Sequence, residues 1–265
     1  MKIAVIIPAA GQSTRYQHPQ TGESRSKLDE DLGGKPVLQR TIELFHTRDE
    51  VATIIVAGPP DPQDFADFKL RHGDRLSLFG AKLCPGSPVS RAASVAAALA
   101  QEDHGCTHFA VHDAARPCTS SALIDRIFDA AAHHPAVIPA IAADDTLKRV
   151  GEPIEEPEEI DPVAAILGAG AKAPPLRPVI ATVDRTGVVL VQTPQVFEAS
   201  LFRRAYEGDL SGTDDAALVE ALGETVLVIE GDRRNIKITR PGDLELARAI
   251  LGLGGPRSRP THKRF

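Results

Sequence analysis

The feature that most restricts the fold of this chain is a rhythm: short apolar runs rich in β-branched residues alternate with stretches of helical periodicity. Residues 2–7 (KIAVII) are apolar on both parities, as a strand covered on both faces requires. Residues 51–57 (VATIIVA), 108–113 (HFAVHD) and 136–142 (AVIPAIA) repeat the pattern, and a shorter strand is expected near 78–83. Between them, 36–47 places Val37, Leu38, Ile42 and Phe45 at helical spacing, and 62–71 is helix-compatible. Segment 90–100 is alanine-rich with Val95 and Leu99 four apart and predicts a helix, and 120–132 predicts another, opened by serines suited to capping. Alternation of this kind predicts a mostly parallel α/β sheet.

The rhythm breaks at 151–178, which holds six acidic residues and six prolines and reads as an excursion from the core, a surface loop. After it, 179–183 and 188–192 are separated by Asp184-Arg185-Thr186-Gly187 and predict a β-hairpin or arm. A two-stranded ribbon is marginally stable alone, so it reads either as a surface ribbon or as an arm docked on a partner subunit. Helices at 197–206 and 214–221, strands at 225–231 and 235–239, and a helix at 243–251 complete one domain over 1–251, with the arm at 143–192. The last 14 residues carry four basic side chains and no acid, the pattern of a disordered tail.

Charge and length exclude several classes. Thirty basic against 36 acidic residues give a net charge of −6, which argues against a nucleic-acid binder. No apolar run approaches the ~18 residues of a membrane span, and the seven-residue stretch at 3–9 is too short for a signal peptide. A cytoplasmic protein is expected, with Cys84, Cys106 and Cys118 reduced and buried. No histidine pair has zinc spacing, and no serine sits in a nucleophile elbow.

Several places look chemical. Ala9-Ala10-Gly11 follows the first strand, and small residues there let the backbone approach a ligand and offer N–H groups to phosphate oxygens; a tight turn is the plainer reading. Arg15 and Lys27 follow, each readable as a surface cation or as a partner for a triphosphate. Asp113 closes a central strand, where open α/β sheets place ligands; it could hold Mg²⁺ against phosphate oxygens or cap the next turn. Asn235 and Lys237 would share one face of the last strand, one completing a metal or phosphate site and the other supplying charge. Lys148 and Arg185 flank the acidic insertion and could grip an anionic substrate if the arm turned back over a site.

Taken together, PAAG after the first strand, RAASV at 91–95, VHDAARP at 111–117, DTLKR at 145–149, TVDR at 182–185, QTPQ at 192–195, TDDA at 213–216 and NIKITRPGDL at 235–244 resemble the 2-C-methyl-D-erythritol 4-phosphate cytidylyltransferase family of the non-mevalonate isoprenoid pathway. The resemblance covers most of 1–251. It implies a three-layer Rossmann-like nucleotidyltransferase fold with a mixed sheet, a protruding β-arm and an arm-mediated homodimer. CTP would bind around Ala9, Ala10, Gly11, Ser94 and Ala114, with Arg15, Lys27 and Lys237 catalytic and Mg²⁺ on Asp113, Asn235 being a candidate second ligand. The sugar phosphate would meet Thr146, Arg185, Thr193, Thr213 and Lys237, with Thr146 and Arg185 donated across the dimer. The chain departs from the family pattern at Ser13, at Gly86-Ser87 and at Arg234, and its lysine lies in Ser26-Lys27-Leu28-Asp29 after a lengthened loop. A cytidylyltransferase for ribitol 5-phosphate or another polyol phosphate, and an inactive nucleotide-binding relative, are the alternatives.

Overall fold

Strand β1 (Ile3–Pro8) is the axis of the molecule, and Ile3 through Ile7 are all fully buried. Its alternate side chains feed two separate cores, Ile3, Val5 and Ile7 on one face and Ala4 and Ile6 on the other, so the sheet needs helices on both sides. The computed structural model describes residues 1–11, 16, 26–102, 105–154 and 176–254. Arg15, most of the acidic insertion and most of the basic tail lie outside the described residues, and with them the expectations placed on them.

The described chain divides into two compact units, 1–141 with 191–265, and 142–190. In the larger unit, β2 (Val51–Gly58), β3 (Ala81–Pro85), β4 (His108–Val111), β5 (Ala136–Ala142), β9 (Gln195–Glu198) and β10 (Leu227–Glu230) join β1 in the order β10-β5-β9-β4-β1-β2-β3. Strand β9 runs antiparallel to β4 and β5; the pairs β1–β2, β1–β4, β2–β3 and β5–β10 are parallel. The mostly parallel mixed sheet expected from the sequence is present.

Helices α1 (Val37–Glu43), α2 (Pro62–Ser77), α4 (Ser121–Ala131) and α7 (Pro241–Ile250) bury Leu38, Phe68, Phe128 and Leu244 in one core. On the other face, α3 (Arg91–Leu99), α5 (Ala199–Tyr206) and α6 (Asp215–Glu220) supply Val95, Phe202 and Val219. The serine cap expected at 120–132 is present, Ser120 accepting from Leu123 N–H, and Ser90 caps α3 in the same way by accepting from Ala93 N–H; both satisfy donors that a helix start leaves unpaired. All three cysteines are buried and unbridged, and burial pushes each thiol up to about 11. No helix among the described residues is long and apolar enough to cross a membrane.

Three expectations change. The helix expected at 197–206 begins at Ala199, because Phe197 and Glu198 belong to β9, a four-residue strand hidden between proline and helix signals. The segment 235–239 is irregular rather than a strand: Asn235 and Ile236 N–H turn back to the carbonyls of Asp232 and Arg234, and Ile238 N–H reaches across to Ala115 O. In the smaller unit, β7 (Val179–Val183) pairs antiparallel with β6 (Leu147–Val150), so the ribbon joins the two ends of the acidic insertion. It is not a hairpin of β7 with β8 (Val189–Val191) across Asp184–Gly187. Asp184 instead folds that connection into a local turn by accepting from Thr186.

Phe197 is fully buried and lies 5.2 Å from the Phe202 ring. Phe197→Ala should lower unfolding free energy by about 3–5 kcal/mol in urea titration, a value at which β9 must be a core strand. A loss below about 1 kcal/mol would place it at the surface.

Candidate active site

From β1 the sheet continues to β2 on one side and to β4 on the other, so the chain reverses its direction of travel across the sheet between β1 and β4. Loops leaving the carboxyl ends of two such strands diverge and leave a crevice. A cleft of about 310 Å³ lies there. Its walls are Ala9, Ala10 and Gly11 after β1, Lys27, the 87–91 turn with Ser94, Asp113 and Ala114 after β4, and Lys237.

Small residues shape one wall. Gly86 donates to Gly58 O at 2.9 Å, and a Cβ on it would fall 2.6 Å from that oxygen and 2.8 Å from the Ala10 Cβ. Only glycine permits this approach. Ser94 is 1% exposed; its Oγ accepts from Ser87 N–H at 3.0 Å and donates back to Ser90 O at 3.1 Å. Ser94 therefore props the Gly86-Ser87 turn at the cleft wall. Ala114 is buried, with its carbonyl accepting from Thr41 of α1.

The rest of the lining is electrostatic. The Asp113 side chain is 10% exposed and meets three cations: Lys237 Nζ at 3.0 Å, Arg116 Nε at 3.1 Å and Arg91 Nη2 at 3.6 Å. Burial works to raise its pKa, but Lys237, Arg91 and Arg116 overcome it and hold the carboxyl well below the usual range. Arg91 is pinned from behind by the fully buried Asp215, at 2.8 Å, whose other oxygen accepts from Tyr206 OH at 2.5 Å. Burial opposes the charge on Arg91, and Asp215 and Asp113 more than restore it, so the guanidinium stays charged. Arg116 also donates to Asn235 O at 2.7 Å, tying the β4 loop to the 235–239 segment.

A buried polar network holds the Asp113 backbone. Asp113 N–H donates to Thr193 Oγ1 at 3.0 Å, which in turn lies 3.1 Å from His112 Nδ1. His112 Nε2 faces Arg116 O at 3.2 Å, and a carbonyl can only accept, so Nε2 carries the proton of the neutral ring and Nδ1 accepts from the Thr193 hydroxyl. Asn235, fully buried, accepts from Thr119 at Oδ1 and donates from Nδ2 to Thr193 O. Its carboxamide is thus engaged in joining three segments, a different task from the metal ligation considered for it. Asp232 caps the approach to this segment, accepting from Arg234 N–H and Ser120 Oγ.

The sequence-derived candidates thus separate. Ala9, Ala10, Gly11, Lys27, Ser94, Asp113, Ala114 and Lys237 converge on one cleft. Thr193 is buried behind Asp113, and Thr213 is exposed beside the α6 start. Thr146 and Arg185 belong to the smaller unit, where both are exposed. Arg91, Arg116 and Asp215 received no role from sequence, although each lies inside a motif quoted above; ion pairing in three dimensions carried the missing signal.

Burial pushes His112 from 6.5 down to about 4. Between those values the unfolded chain binds a proton that the folded one refuses, so stability is full above about pH 6.5 and falls as pH drops. The loss should reach about 3 kcal/mol near pH 4. His112→Gln should flatten that part of the urea-stability profile; an unaltered slope would remove His112 as its source.

The 2-C-methyl-D-erythritol 4-phosphate cytidylyltransferase (IspD) family model matches residues 3–159 and 163–253. The chain is 37% identical over 257 residues to the 2-C-methyl-D-erythritol 4-phosphate cytidylyltransferase of Frankia casuarinae, covering 96% of this chain and 83% of that one. Identity is also 37% to the Bacteroides fragilis enzyme of the same name, over 93% of this chain and 98% of its relative. The crystal structure of the Thermus thermophilus cytidylyltransferase superposes with a TM-score of 0.64 at 31% identity, covering 94% of this chain and 98% of that one. With the mixed sheet and the cleft in place, these matches make the chain a member of the 2-C-methyl-D-erythritol 4-phosphate cytidylyltransferase family.

Proposed function

We propose that this protein transfers the cytidylyl group of CTP to 2-C-methyl-D-erythritol 4-phosphate and releases pyrophosphate. A phosphate oxygen of the acceptor attacks the α-phosphorus of CTP; the new P–O bond forms as the bond to the bridging α,β-oxygen breaks. The acceptor phosphate is already anionic at neutral pH, so the reaction needs positioning and charge neutralisation more than a general base. The observation that carries this reading is the cleft at the β1–β4 switch, lined both by the small residues Ala9, Ala10 and Gly11 and by the charged Arg91, Lys237 and Asp113.

Ala9, Ala10 and Gly11 receive the nucleotide, with the Gly86-Ser87 turn and Ser94 shaping the base wall. Lys27 and Arg15 neutralise the triphosphate, and Lys237 serves charge at the reacting phosphates. Among the described residues no cluster of three or more His, Cys, Asp or Glu could cage a metal. A single carboxylate at the cleft fits a cation that takes most of its ligands from phosphate and water, as Mg²⁺ does. Asp113 would hold it, and Mg²⁺ when bound adds Lewis-acid stabilisation of phosphoryl charge. Lys237, 40% exposed and on an irregular segment, can leave Asp113 for a phosphate when substrates arrive.

Acceptor recognition completes the reading. Thr146, Arg185, Thr193 and Thr213 are assigned to the sugar phosphate, with Thr146 and Arg185 supplied by a second copy through the β6–β7 ribbon. Val179 and Ile180 on that ribbon are 60% and 64% exposed, and apolar side chains presented this way favour burial against another subunit.

With CTP and Mg²⁺, pyrophosphate release is expected with methylerythritol 4-phosphate and not with ribitol 5-phosphate or without acceptor. Release with ribitol 5-phosphate alone would keep the chemistry and overturn the acceptor. Lys27→Ala should cut turnover on the order of 10²–10³-fold while leaving the urea midpoint nearly unchanged; an unaltered rate would remove Lys27 from the site.

A further inference from the structure

The stretch that carries Lys27 is fastened to three helices. Arg248 of α7 donates to Asp31 O at 2.8 Å, and Arg40 of α1 donates to the carbonyls of Leu32 and Gly33. Leu28 and Leu32 are buried in the core. Next to Lys27, the Leu28 carbonyl accepts from Leu38 N–H of α1 at 3.2 Å, and one residue further a side-chain tie is made: Asp29 Oδ1 lies 2.6 Å from Nε2 of His72 on α2. Arg71 lies 3.4 Å from the other oxygen, on a side chain 48% exposed.

His72 is 3% exposed and packs on Phe68 with ring centroids 4.8 Å apart. A polar ring buried against phenylalanine is costly unless its nitrogens are paired, and a leucine or phenylalanine would fill the space without that cost. What the imidazole adds is a short bond from a helix locked in the core to the loop beside the cleft. A helix-borne, packed donor fixes its partner more tightly than the long, solvated Arg71 does.

We propose that His72 is a positioning residue for nucleotidyl transfer: through Asp29 it fixes the chain at 27–29, so that Lys27 stays at the cleft wall. The proposal rests on the reading of Lys27 as a triphosphate-binding residue. Main-chain displacement at Lys27 would misplace its ammonium by ångströms, and errors of that size cost rates on the order of 10–100-fold.

Steady-state kinetics of five full-length variants test this. His72→Phe keeps the packing and removes the donor; it should lower kcat on the order of 10–100-fold, with little change in KM for the acceptor. His72→Gln, which returns a donor near the Nε2 position, should recover most of the loss. Asp29→Ala, on a loop side chain 34% exposed, should reproduce the defect without disturbing α2 and serves if His72→Phe does not fold. In a Lys27→Ala background, Asp29→Ala should add no further loss, because the latch acts through Lys27. Unchanged kcat in Asp29→Ala, or losses that multiply in the double variant, would overturn the proposal while leaving the Lys27 reading intact. An unaltered rate in Lys27→Ala alone would instead overturn that reading.

Discussion

Asp113 is the group on which the polar half of this molecule is organised. A carboxylate 10% exposed cannot remain charged on its own, and Arg91, Arg116 and Lys237 hold it ionised. The dependence runs the other way too. Three cations within reach of one another repel, and Asp113 is what lets them share a wall. The arrangement is a charge template: one carboxylate holds a cation cluster together, and a polyphosphate can take over part of that pairing when it enters.

The template is precise because its members are anchored behind the cleft. Asp215, buried between Tyr206 and Arg91, fixes one guanidinium from α6, on the opposite face of the sheet from α1 and α4. Arg116 is fixed by the Asn235 carbonyl, and the Asp113 backbone by Thr193 and neutral His112. These groups join β4, the 192–195 segment and the irregular 235–239 stretch into one support. Preorganised charge of this kind needs no reorganisation at the moment of reaction. Its cost is a run of buried polar groups, each of which has to be paired.

The sheet was legible because its strands are short, apolar on both parities and separated by capped helices; Ser90 and Ser120 mark helix starts that the structure keeps. Strand β9 was not, because four residues between Pro194 and a helix carry too little period, and its place is set by pairing with β4 and β5. The β6–β7 pairing was missed for a related reason: register between segments separated by the acidic insertion is decided in space, whereas the eye joins neighbours in sequence. At the site, Asp113, Ser94 and Lys237 were found from motif and strand-end position. Arg91, Arg116 and Asp215 needed distances, since an arginine in a helix and one in a turn carry no local mark of sharing a carboxylate. Asn235 and Thr193, picked out from motifs, have a further task that only distances reveal: their groups help to hold the loop that carries Asp113.

The central claim is that Asp113 keeps the cation wall in place and hands it to nucleotide and metal together. Calorimetric titration of CTP into Asp113→Asn and the unsubstituted protein, each with and without Mg²⁺, tests it most directly. In the unsubstituted protein Mg²⁺ should tighten CTP binding. In Asp113→Asn, where Arg91, Arg116 and Lys237 lose their shared anion, CTP alone should bind at least as well as before and Mg²⁺ should give no further gain. An equal gain from Mg²⁺ in both proteins would contradict the account.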